Sequence, residues 1–104
     1  MQTANQQTLP KLLESSLCLV EMSAPWCPDC RRIDPILQKL QAQYPQVKFI
    51  LLDFDENQAL KDELGVRRIP TLIFYKNGQE VLERLVEPDS ILPIQTAIEN
   101  LLAL

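Results

Sequence analysis

The residues Leu17 to Met22 form a near-continuous apolar run, the pattern of a strand covered on both faces. Ile33, Ile36, Leu37, Leu40 and Tyr44 then recur at helical spacing and mark the buried face of a long helix. Pro35 lies inside that helix, where it cannot donate to the carbonyl of Arg31 and should kink it, and Pro45 stops it. Val47 to Phe54 reads as a second strand. Asn57 can cap a short helix through Leu64, with Leu60 and Leu64 facing inward and Gly65 suited to a left-handed end. Thr71 to Lys76 and Gln79 to Val86 flank Asn77-Gly78, a strong hairpin signal, so the last two strands are expected to be antiparallel. Ser90 can cap a final helix with Pro93 in its first turn and Ile94, Ile98, Leu101 and Leu102 as its core stripe. Before all of these, Met1 to Gln7 is polar. Thr8 can cap a helix running to about Ser15, with Pro10 in its first turn and Leu9, Leu12 and Leu13 buried. A strand–helix–strand order implies parallel pairing by a right-handed crossover. The expectation is an α/β fold: a four-stranded mixed sheet flanked by helices on both faces, with no strand ahead of the first helix.

Composition narrows the possibilities. A chain of 104 residues is expected to be one domain, residues 1–104, with a modest core. The formal charge is −4, with acids and bases mixed along the chain, so no basic face for nucleic acid is formed. No apolar run is long enough to span a bilayer, so no membrane association is expected. Met1 to Pro10 lacks the charged start and apolar core of a signal peptide. Three cysteines, an odd number, point to a reducing compartment rather than a disulfide-stapled secreted domain, and hence to the cytoplasm. Cys18, inside the first apolar run, reads as a small buried hydrophobe.

The chemistry concentrates in Ser23-Ala24-Pro25-Trp26-Cys27-Pro28-Asp29-Cys30-Arg31, a polar turn between the first apolar run and the long helix. A structural zinc site needs four nitrogen or sulfur ligands. With three cysteines and no histidine, one chain could complete such a site only with carboxylates. A c-type haem attachment would place His where Arg31 stands. Dithiol–disulfide chemistry remains, the expected use of Cys-x-x-Cys where a strand feeds a helix, and neither metal nor cofactor is expected. Positions three apart on a helix are neighbours, within reach of a disulfide. Cys27 falls where the helix begins and Pro28 suits the first helical position, so unpaired N–H groups favour a Cys27 thiolate. Cys27 should be partly accessible and Cys30, one turn in, nearly buried. Asp29 pulls two ways: its charge suits a helix start, yet it repels a neighbouring thiolate, and Arg31 and Arg32 can offset that.

Leu19-Val20-Glu21-Met22-Ser23-Ala24-Pro25-Trp26-Cys27-Pro28-Asp29-Cys30, then Pro35, Ile69-Pro70-Thr71 and Lys76-Asn77-Gly78, resembles the thioredoxin family from about Leu17 to the C-terminus. The resemblance implies a thioredoxin fold and a thiol–disulfide oxidoreductase, mainly a disulfide reductase. Cys27 would attack and Cys30 would resolve. It also implies a buried acid at Glu21 acting as base for Cys30, and a substrate-binding segment Ile69-Pro70-Thr71 with Pro70 cis against the dithiol and the Ile69 backbone groups open to an extended substrate. Trp26 and Pro25 would form an apolar rim beside Cys27. Substrates would be disulfide-containing proteins or small molecules, with thioredoxin reductase or glutathione as donor, and the chain a monomer.

Four departures stand out. Pro28-Asp29 replaces the usual Gly-Pro between the cysteines. Leu51 replaces a Lys that often partners the buried acid. The usual first strand is missing from the expected elements. Glu87 stands where a glycine usually lets substrate backbone approach, adding bulk and charge at the groove. Two other functions remain open from sequence: a redox-silent binding or scaffold module, and a metal or iron–sulfur centre shared by two chains through Cys27 and Cys30.

Overall fold

The computed structural model describes residues 1–14 and 16–104. Its elements are β1 (Gln2–Ala4), α1 (Leu9–Leu13), β2 (Leu17–Ser23), α2 (Pro28–Gln43), β3 (Val47–Asp53), α3 (Gln58–Leu64), β4 (Thr71–Lys76), β5 (Gln79–Val86) and α4 (Ile91–Leu102). They build a five-stranded mixed sheet in the order β1-β3-β2-β4-β5. β2 lies parallel to β3 and antiparallel to β4, and β4 and β5 form the expected antiparallel hairpin. Asn77 and Gly78 both have positive φ, +52° and +85°, as a two-residue primed turn demands.

The strand expected to be missing is present. β1 runs parallel to β3 with Gln2, Thr3 and Ala4 opposite Ile50, Leu51 and Leu52. Its sequence is silent because only Ala4 of its three residues is buried. A three-residue edge strand held by backbone hydrogen bonds leaves no alternation to detect.

Side chains of β2 alternate between the two faces of the sheet. Cys18, Val20 and Met22 join Leu9 and Leu13 of α1 and Leu60 of α3 in one core. Leu19 joins Ile33, Leu37 and Leu40 of α2 and Ile94, Ile98 and Leu101 of α4 in the other. By the same alternation Glu21 faces the α2 side. Cys18 is fully buried, as its place in the strand suggested.

Helix ends use other residues than those expected. The Thr8 side chain makes no cap at α1. Asn5 Oδ1 instead accepts the N–H groups of Gln7 at 2.9 Å and Thr8 at 3.0 Å. α1 ends at Leu13, and its expected end at Ser15 lies outside the described residues. Neither Asn57 nor Ser90 caps through its side chain, although each occupies the N-cap position. Asn57 is buried and donates to the Asp53 carbonyl at 2.9 Å, while Asp53 Oδ1 accepts the N–H groups of Asp55 and Glu56. Gly65 ends α3 at φ +70°, as expected. Pro35 leaves α2 undivided from Pro28 to Gln43.

Candidate active site

β2 and β3 deliver the chain to one end of the sheet, where α2 starts. Cys27 is the N-cap of α2, in extended backbone at φ −86° and ψ 111°, and Pro28 follows in the first turn. Cys27 Sγ accepts the N–H of Cys30 at 3.2 Å, so the sulfur itself takes one of the amides that a helix start leaves unpaired. Cys27 and Cys30 are disulfide-bonded with their Cα atoms 5.2 Å apart. Cys30 is buried as expected, at 2 % exposed, but Cys27 is buried too, at 4 %. Ala24, Phe54 and Ile69 pack around the pair. Asp29 is turned to solvent and ion-paired to Arg32 at 3.2 Å.

The Ile69–Pro70 bond is cis. Cys27 Sγ lies 3.9 Å from the Ile69 carbonyl oxygen, which brings this loop directly onto the dithiol. Thr71 is buried and its hydroxyl donates to the Arg68 carbonyl, so its side chain secures the loop from within. Glu87 has a left-handed backbone, φ +53°, and its N–H donates to the Pro70 carbonyl at 2.7 Å. Its carboxylate is paired with Arg68 at 3.5 Å, an exposed contact that sequence reasoning missed. Trp26 is 60 % exposed, and its indole N–H donates to Asp55 at 2.6 Å. In the sequence Asp55 stands in the acidic stretch Asp53-Phe54-Asp55-Glu56.

Behind Cys30, Glu21 is fully buried and neither of its carboxylate oxygens has a partner among the described residues. Burial, with a smaller push from Asp34, raises its pKa to about 8. Leu51 stands opposite it in register, confirming that no Lys partners it from β3. Glu21 and Cys30 share a cavity of about 310 Å³ with Asp34 and Leu51. Asp34 was overlooked in the sequence. Its position four residues after Cys30 puts it on the same helix face, and that spacing was the available signal.

The thioredoxin family model matches residues 1–99. The chain belongs to the thioredoxin family. Thioredoxin 1 of Synechococcus elongatus is 42 % identical over 73 residues, 68 % of each chain. Thioredoxin of Chlamydia trachomatis is 33 % identical over 97 residues, 90 % of this chain and 94 % of that one. The solved structure of Fasciola hepatica thioredoxin superposes with a TM-score of 0.88 at 30 % identity, covering 96 % of this chain and 98 % of that one. This thioredoxin-family chain is a thiol–disulfide oxidoreductase that acts on disulfide substrates through the Cys27–Cys30 pair. Among the described residues, no helix is long and apolar enough to cross a membrane.

Proposed function

We propose that Cys27 is the attacking thiolate, that Cys30 resolves the mixed disulfide, and that Glu21 takes the Cys30 proton. The observation that carries this division is the position of Cys27 at the α2 N-cap, with its sulfur already accepting the Cys30 N–H. The positive end of a helix stabilises thiolate on the first sulfur more than on one a turn further in. Cys27 would attack a substrate disulfide and release one substrate thiolate. Cys30 would then attack Cys27 Sγ, release the second, and leave the Cys27–Cys30 disulfide. Two electrons pass to the substrate sulfurs, which leave as thiols after protonation.

Trp26, Ile69, Pro70, Thr71 and Glu87 line the substrate groove beside Cys27 in this reading. Pro28 and Asp29 tune the helix start. The chain works as one domain over residues 1–104, as a monomer in the cytoplasm, where an unpaired buried Cys18 stays reduced. Its substrates are protein or small-molecule disulfides, and its donor is thioredoxin reductase or glutathione.

Trapping tests the division of labour. Cys30→Ser should accumulate a mixed disulfide with substrate, whereas Cys27→Ser should neither attack nor trap. Trapping by Cys27→Ser but not by Cys30→Ser would reverse the roles.

A further inference from the structure

Glu21 is fully buried and neither of its carboxylate oxygens has a partner among the described residues, yet its proposed task requires it to gain and lose a proton in every cycle. The cavity beside it has a mixed lining: Glu21, Cys30 and Ala24 are buried, while Arg31, Asp34 and Gln38 are exposed residues of α2. It therefore leads from Cys30 past Glu21 to the surface. Asp34 is a carboxyl on that exposed side, one turn beyond Cys30. We propose that Asp34 is a positioning residue for the resolving step, a second carboxyl that carries the proton between Glu21 and solvent. This rests on the roles assigned above to Cys30 and Glu21.

Cys30 gives its proton to Glu21 and its sulfur attacks Cys27 Sγ. The Cys27–substrate S–S bond breaks, and its electron pair leaves on the substrate sulfur, which takes a proton from water. Glu21 then passes its proton through the cavity to Asp34 and on to solvent, ready for the next turnover. In the reverse direction, when a reductant opens the Cys27–Cys30 disulfide, Asp34 refills Glu21.

The charged neighbours are consistent with a relay. Asp34 adds to the upward push on Glu21, and burial raises Asp34 itself, opposed by the Met1 ammonium. Arg31 from α2 and Asp53 from β3 also face the cavity, while Leu51 from β3 and Thr3 from β1 bring no charge. Both carboxyls line the same cavity and burial raises the proton affinity of each, so a proton can pass between them.

The test separates the two chemical steps by single-turnover kinetics with a disulfide substrate. Asp34→Ala should slow release of the mixed disulfide about tenfold or more and leave its formation by Cys27 unchanged. Asp34→Glu should keep the parent rate. Added formate, small enough for the cavity, should restore release in Asp34→Ala. Asp34→Asn keeps the size, and should shift the pH profile of release to lower pH because a like charge beside Glu21 is gone. Unchanged release in Asp34→Ala, equal slowing of both steps, or no response to formate would overturn the relay. A wrong assignment of Cys30 would instead show as failure of Cys30→Ser to trap substrate, whatever Asp34 does.

Discussion

Glu21 sets the proton chemistry of the site because nothing offsets its burial. Its folded pKa of about 8 lies above its ordinary value of 4.5, so between those pH values the unfolded chain releases a proton that the folded chain keeps. The stability that depends on this group is therefore fully present below about pH 4.5 and is lost progressively as pH rises to about 8. Glu21→Leu removes that dependence at similar volume. Its advantage over the parent should be small near pH 5 and should grow to the order of a few kcal/mol near pH 8, read from urea midpoints at each pH. A constant difference across that range would mean that Glu21 ionises freely when folded. Leu51 allows a complementary test, because its side chain stands beside Glu21 in register. Leu51→Lys should lower the Glu21 pKa by about 1–3 units, and the pH profile of the resolving step should move down by the same amount. An unmoved profile would show that a charge at position 51 does not reach Glu21.

At the scale of elements, the dithiol and its helix were legible, and the loops that meet it were legible only in part. Cys-Pro-x-Cys before an amphipathic stretch announces an N-cap sulfur, and the structure places one there. Glu87 was recognisable as a departure from glycine, but its left-handed backbone and its pairing with Arg68 depend on where two distant segments meet. The caps at Thr8, Asn57 and Ser90 were misread for a related reason. Each occupies the N-cap position, but the amides that side-chain oxygens serve here belong to the turns leading into the helices, through Asn5 and Asp53. Glu87→Gly follows from this geometry. It relieves a left-handed non-glycine residue and gives up an exposed ion pair, changes of about 1 kcal/mol or less that oppose one another. Stability should therefore stay within about 1 kcal/mol of the parent. The groove loses a side chain and a charge, so kcat/KM for a protein disulfide should rise several-fold while that for a small disulfide changes little. An equal change for both substrates would remove Glu87 from the specificity of the groove.

Across the whole molecule, the central strands and the two long helices were readable because each buries a periodic face. β1 was not, because an edge strand with one buried residue has no period. That difference in burial predicts a difference in how parts of the molecule open. α2 and α4 clamp one face of the sheet through fully buried Leu37, Leu40, Ile94 and Ile98. On the other face, α1 is only five residues long and contributes Leu9 and Leu13 as its buried side chains. Ile98→Ala should cost about 2–5 kcal/mol, a large share of the 5–15 kcal/mol typical of a domain, and should weaken amide protection throughout β2, β3 and β4. Leu13→Ala removes a similar side chain from an element that can detach without exposing the α2–α4 core. Its main effect should be faster exchange in β1 and α1, with protection in β2 and β4 retained. The two cysteines depend on β2 and α2, so Leu13→Ala should also preserve the rate of mixed-disulfide formation. Native-state hydrogen exchange distinguishes the two patterns. Uniform loss of protection in Leu13→Ala would mean that α1 and the dithiol end of the sheet unfold as one unit, and the attack rate would then fall along with stability.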